Sequence, residues 1–157
     1  MAEVPDAPPL QPGGPEPYSF RRALVYWASL FEGRYNRDFI KAMGGDRGAV
    51  SLWRVLTVIS EIDGASVGEL AEHTQIERTV LSKLLTNYDK RGLIRRTIDP
   101  SDRRTVRVHL TAPGRDLYLR IQPIRRAVFA RATAGMPEAD IALATDLFRR
   151  MVGNMDR

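Results

Sequence analysis

Residues 66–111 read SVGELAEHTQIERTVLSKLLTNYDKRGLIRRTIDPSDRRTVRVHLT, and the fold is decided here. Two short helical patterns open the stretch. In residues 67–73, Val67, Leu70 and Ala71 share one face, and Ser66 followed three positions later by Glu69 is a capping-box signature. In residues 77–91, Val80, Leu81, Leu84, Leu85 and Tyr88 recur at helical spacing and are expected to face the core. Arg78, Thr79, Ser82, Lys83 and Asn87 fall mostly on the opposite side. Gly92 stands where a helix takes a left-handed residue after its end, and Lys90 and Arg91 suit the negative end of the helix dipole. Two extended runs follow, Ile94–Ile98 and Val106–Leu110, in which apolar and polar residues roughly alternate. Between them, residues 99–105 begin with turn chemistry and carry Arg103 and Arg104 at the loop tip.

Two short helices followed by a basic hairpin make a winged helix-turn-helix. From Arg78 to Arg107 there are nine Lys or Arg against three Asp, an excess of six, while the whole chain carries +5. The basic charge is therefore concentrated on this stretch. A helix and hairpin so charged have the electrostatic footprint of a nucleic-acid reader. The second helix is expected in the major groove. Its side chains Arg78, Thr79, Ser82, Lys83 and Asn87 are then the candidates for base edges and phosphates, with Gln75 just before it for the backbone. Arg95 and Arg96 on the first hairpin strand read equally well as a DNA contact and as solvated surface.

Residues 70–115, LAEHTQIERTVLSKLLTNYDKRGLIRRTIDPSDRRTVRVHLTAPGR, resemble the core of the MarR family of bacterial transcription regulators. The resemblance is carried by Leu70-Ala71, Thr79-Val80, Gly92-Leu93, Asp102-Arg103-Arg104, Leu110-Thr111 and Gly114-Arg115, in order and at matching spacing. With the flanking helical patterns it extends from about residue 18 to the C-terminus. It implies a wing in which Arg104 enters the minor groove, Asp102 orients it and Arg103 reaches phosphate. Arginine suits a narrow minor groove because its planar, weakly hydrated cation tolerates desolvation.

Working outward, the 157-residue chain is long enough for one domain with its own core. Residues 1–17 hold six prolines and two glycines and are expected to be a disordered tail. Residues 18–157 are expected to form a single domain, mainly α with a small β-hairpin wing. In it, residues 48–111 are the winged helix-turn-helix, and residues 18–47 and 112–157 are mainly dimerisation helices. The first helix, residues 18–43, carries an aromatic stripe of Phe20, Leu24, Trp27, Phe31, Tyr35 and Phe39. The next, residues 48–63, turns Leu52, Val55, Leu56, Ile59 and Ile62 inward, with Trp53 beside that stripe. Thr111 is placed to cap a long helix whose Pro123 is expected to kink or split it. Pro137 opens a final helix to residue 154 with Ile141, Ala144, Leu147, Phe148 and Met151 as its stripe. The terminal helices carry more apolar surface than one small head can cover, so a second copy is expected to cover it. The family resemblance implies the same two-fold dimer.

There is no cysteine, which excludes disulfides and thiol-based sensing. No apolar run reaches the ~18 residues of a membrane span, and no secretory signal is visible. The cytoplasm is the expected location, with no membrane partner. The two histidines, His73 and His109, form no metal-binding or catalytic cluster by spacing, and no nucleophile elbow or phosphate-binding glycine pattern exists. Neither an enzyme, a cofactor nor a metal is expected. By analogy with the family, a small molecule would bind between the dimerisation helices and the head. Trp27, Phe31 and Trp53 suggest an aromatic effector, Arg22 or Arg34 a partner for its carboxylate, and His109 a polar group in the pocket. The resulting expectation is a homodimeric repressor that a small aromatic acid releases from a pseudo-palindromic operator of double-stranded DNA. The competing expectation is an architectural DNA-binding protein without an effector.

Overall fold

Ser66 belongs to two elements at once. It ends a two-residue strand, β1 (Ala65–Ser66), and it caps the helix that follows, α3 (Val67–Thr74). Its hydroxyl accepts the Glu69 N–H at 3.1 Å, while the Glu69 carboxylate accepts the Ser66 N–H at 2.7 Å. This is the reciprocal box expected from the sequence. Around it the computed structural model describes residues 23–156. The elements are α1 (Leu24–Ala42), α2 (Ala49–Glu61), β1, α3, α4 (Arg78–Lys90), β2 (Ile94–Ile98), β3 (Val106–Leu110), α5 (Ala112–Ala132) and α6 (Glu138–Met155). The proline-rich tail, Phe20, Arg22 and the first residues expected in α1 lie outside the described residues.

The architecture is mainly helical with a three-stranded antiparallel sheet in the order β1-β3-β2. Both hairpin strands fall where alternation placed them, with Ile94 opposite Leu110 and Ile98 opposite Val106. The third strand is an addition. At two residues β1 is too short to show a period, and it pairs Ser66 with Arg107. The end of α4 is closed by Gly92 at φ +68°, where the Leu93 N–H reaches the Tyr88 carbonyl and the Gly92 N–H that of Asp89. That pair of bonds is a Schellman cap, which needs the left-handed residue glycine supplies.

The chain divides into two compact units, one ending at Arg34 and one beginning at Tyr35. In the first, Trp27 is 53% exposed and Phe31 48%, and Tyr26 meets Trp27 edge to face at 5.3 Å. In the second, Leu52, Val55, Leu56 and Ile59 of α2 are buried against Leu70 of α3, Leu81, Leu85 and Tyr88 of α4, Ile94 and Val108 of the hairpin, and Ile121 and Val128 of α5. Phe39 is fully buried.

Three sequence expectations change. Val80 does not join the core: it is 50% exposed. The buried face of α4 is centred on Leu81, Leu85 and Tyr88, and Val80 stands about 100° of helical rotation before Leu81. Pro123 does not split its helix, because α5 runs unbroken from Ala112 to Ala132 with Pro123 on its exposed side. Ile62 is not in the α2 stripe: it is exposed and serves as the C-cap of a helix that ends at Glu61.

Candidate nucleic-acid interface

The turn between α3 and α4 is made by Gln75, which adopts a left-handed backbone (φ +55°) and folds its side-chain amide back to donate to the Glu72 carbonyl. Glu77 then caps α4. Its carboxylate accepts the backbone N–H of Thr79 at 2.9 Å and of Val80 at 3.1 Å, and the Thr79 hydroxyl as well. These donors, the Thr79 hydroxyl foremost, hold the Glu77 carboxyl below the usual carboxylate range. The sequence pattern assigned Glu77 only a place in the helix, and its capping role was missed.

From this start α4 presents Arg78, Thr79, Ser82, Lys83 and Asn87 as exposed side chains on one broad face. The side chains of Arg78 and Lys83 take part in no hydrogen bond or ion pair among the described residues. The hydroxyls are already committed as donors, Thr79 to Glu77 and Ser82 to the Arg78 carbonyl at 2.8 Å, so each offers lone pairs outward.

The wing is built more firmly than its turn residues suggest. Asp99, almost buried, accepts from the Ser101 N–H (2.8 Å), the Ser101 hydroxyl (2.5 Å), the Asp102 N–H (3.2 Å) and Arg107 Nε (2.7 Å). The Ser101 hydroxyl and then the Arg107 guanidinium hold its carboxyl far below the usual range. Arg107 also reaches the Gly64 carbonyl at 3.3 Å and Glu69 at 3.5 Å. One guanidinium thus ties the loop, the sheet and the N-terminus of α3 together. Asp102 accepts the backbone N–H of Arg104 at 3.0 Å and the Thr105 hydroxyl at 2.7 Å. It fixes the main chain at Arg104 and does not touch the guanidinium. The side chains of Arg103 and Arg104 are exposed and carry no partner among the described residues, as does Arg95 on β2. Arg96 instead pairs with Asp89 of α4 at 3.2 Å.

The remaining polar candidates sit elsewhere. His109 joins Asp63 through Nδ1 and Thr97 through Nε2, each at 3.1 Å, beneath Gly64. It binds the head together from the strand β3. His73 is exposed near the end of α3. No group of three or more His, Cys, Asp or Glu among the described residues is arranged to hold a metal ion.

A second concavity lies in the unit from Tyr35 onward, an open cleft of about 480 Å³ between α1, α2 and α5. Its walls include Tyr35, Trp53, Tyr118 and Phe129, with Arg125 and Arg126 as its cations. Trp53 stacks on Tyr118 (5.3 Å, 17°), and Arg125 lies over the ring of Tyr35 at 3.9 Å. Of the six residues expected at an effector site, Trp53 is in this lining. His109 is spent on the head, Trp27 and Phe31 are half-exposed, Arg34 is exposed and not part of the lining, and Arg22 is outside the described residues. The cleft joins residues some 90 positions apart, so no local pattern announced Tyr118, Arg125 or Phe129.

Residues 52–105 match the model of the MarR family. The chain is 24% identical over 131 residues to the HTH-type transcriptional repressor IacR of Pseudomonas putida, covering 83% of this chain and 78% of that one. It superposes on the crystal structure of a MarR-family transcriptional regulator from Silicibacter pomeroyi with a TM-score of 0.78 at 29% identity, over 87% of this chain and 92% of that one. A further structure of the same fold is BpsR of Bordetella bronchiseptica, whose DNA binding is regulated by 6-hydroxynicotinic acid. Its TM-score is 0.77 at 22% identity, over 87% and 97% of the two chains.

Proposed function

Because this chain is a transcriptional regulator of the MarR family, we propose that it works as a homodimeric repressor that grips a pseudo-palindromic duplex with two winged heads. In each head α4 enters the major groove with Arg78, Thr79, Ser82, Lys83 and Asn87. Gln75 lies beside the DNA backbone, Arg104 enters the minor groove, and Arg103 and Arg95 meet phosphates. The observation that carries this reading is the set of exposed cations without a partner among the described residues, at the start of α4 and at the tip of a wing fixed by Asp99 and Asp102. Such groups remain free to meet phosphates and base edges.

A second copy is called for by the apolar surface. α6 has no buried residue, while Leu143, Leu147, Phe148, Met151 and Val152 are exposed along it. In α1, Leu24, Val25, Trp27 and Phe31 are likewise exposed. Exposed apolar surface of this extent marks an interface. Two-fold symmetry then places the recognition helices about 34 Å apart, one turn of DNA.

The release step is assigned to the cleft. Four aromatic walls and two arginines suit a small aromatic acid, its ring against Trp53 and Tyr118 and its carboxylate toward Arg125 or Arg126. A ligand shifts DNA binding only by its differential affinity for the bound and unbound head positions. IacR is a repressor and BpsR answers to an aromatic acid, which supports the same assignment here. The test is fluorescence anisotropy on duplexes selected from a random pool, with the mass in solution measured by light scattering. A dimer is expected, with affinity falling steeply with salt at about 0.9 in log–log slope per phosphate neutralised. A monomer at micromolar concentration, or a flat salt response, overturns the reading.

A further inference from the structure

We propose that Val80 reads the C5-methyl group of a thymine in the major groove and thereby sets sequence preference at one position of each half-site. The proposal rests on the DNA-reading role of α4 argued above and adds to it a residue that the helical pattern consigned to the core. Val80 sits in the first turn of α4, and its N–H is held by Glu77. The N-terminal turns of a recognition helix are the part that meets base edges. At 50% exposure its isopropyl group lies open, and the core of α4 is complete without it, since Leu81 and Leu85 are buried to within 1%.

The surroundings select the partner. Lys83 and Asn87, three and seven positions on, share its side of the helix, and Arg78, Thr79 and Ser82 are also exposed. Val80 is thus a single apolar group in a polar, cationic face. A protein partner would want a patch, and this is one methyl-bearing side chain among groups suited to DNA. Among the four bases only thymine offers a methyl group in the major groove, and apolar side chains are the ones that read it. The β-branched side chain adds precision, because in a helix valine keeps about nine-tenths of its population in one rotamer.

Wild-type protein is first used to select a duplex from a random pool at fixed salt. Each thymine of that duplex is then replaced by deoxyuridine, which removes the methyl and nothing else. Burying one methyl group is worth about fourfold in affinity, so one thymine per half-site should weaken binding about fourfold on replacement, and about fifteenfold when both half-sites are changed. Val80→Ser and Val80→Asn, which carry no methyl group, should bind thymine and deoxyuridine duplexes alike at that position and keep the responses at all others. Circular dichroism melting checks that both variants fold, and Val80→Asn serves if Val80→Ser does not. If no thymine responds, or if the variants keep the full response, the proposal is overturned. Failure of the wild type to select any duplex would instead refute the DNA-reading role of α4, and the proposal with it.

Discussion

Replacing Gly114 by alanine should destabilise the head through a backbone clash. Gly114 lies in the first turn of α5, where the helix presses on the junction between α4 and β2. A Cβ built there falls 1.9 Å from the Leu93 carbonyl oxygen and 2.9 Å from its carbon. Ordinary contact between heavy atoms is about 3.5 Å, so α5 and the junction must part by more than ~1 Å. That junction is held by two bonds from Thr111, its N–H to the Leu93 carbonyl at 3.2 Å and its hydroxyl to the Gly92 carbonyl at 2.6 Å. Losing both removes about 2 kcal/mol, and residual overpacking adds about 1–3 kcal/mol. Alanine gains back about 0.5–1 kcal/mol of helix propensity. The net expectation is a loss of about 2–4.5 kcal/mol, read from urea unfolding midpoints at one fixed protein concentration. Gly33, within α1, has open space where its Cβ would go, so Gly33→Ala should leave stability unchanged or raise it by up to about 1 kcal/mol. A Gly114→Ala cost below about 0.5 kcal/mol would refute the close approach between α5 and Leu93.

Arg104→Ala should abolish tight operator binding in anisotropy while shifting the melting temperature little, because its exposed side chain supports no core. Asp102→Ala should weaken binding by releasing the Arg104 N–H and the Thr105 hydroxyl. Plain electrostatics predicts tighter binding on deleting an acid near phosphates, so an affinity equal to or above wild type at the same salt would sink the positioning role. Asp99 titrates below its ordinary range, so its contribution to stability is present above about pH 4 and is lost as pH falls through its lowered value. Urea midpoints of wild type and Asp99→Asn should therefore differ at pH 7, begin to draw together below about pH 4 and converge only as pH reaches the lowered value, well below about pH 3. A difference that stays constant through this range would count against the Arg107 and Ser101 contacts. An aromatic acid that binds the cleft should quench Trp53 fluorescence, and Arg125→Leu should weaken that quenching at least tenfold.

Local signals in the sequence carried most of the head. Alternation located β2 and β3, Gly92 located the end of α4, and Ser66 with Glu69 located the start of α3. Each is a rule that acts within four or five residues, so one chain suffices to see it. What escaped notice depends on distant partners. The Asp99–Arg107 pair forms only because the hairpin folds the two strands together. Val80 and Leu84 fit a helical stripe equally well in sequence, and only the packing of α4 against α3 and β2 decides which turns inward. The cleft required α1, α2 and α5 to meet, and the aromatic stripe of α1 reads in sequence as one continuous face, while among the described residues only Phe39 of it is buried. Pro123 obeyed the rule that it lacks a donor, yet the rest of α5 is long enough to carry the gap.

The double membership of Ser66 bears on how this protein can be cut and rejoined. Ser66 pairs with Arg107 in the sheet and caps α3 in the same breath of chain, and Arg107 holds Glu69 and Asp99 together. The wing and the start of α3 are therefore not separable parts to be exchanged one at a time. A chimera that grafts only residues 78–90, or only the loop at 99–105, keeps its seams inside this clasp. One that crosses over before Ala65 and again after Gly114 carries the whole clasp across, along with the Leu93 contact that seats it. Retargeting to a new operator should succeed with the second kind of graft, whereas a loop graft whose donor lacks an acid at position 99 leaves Arg107 without its partner and unseats the wing.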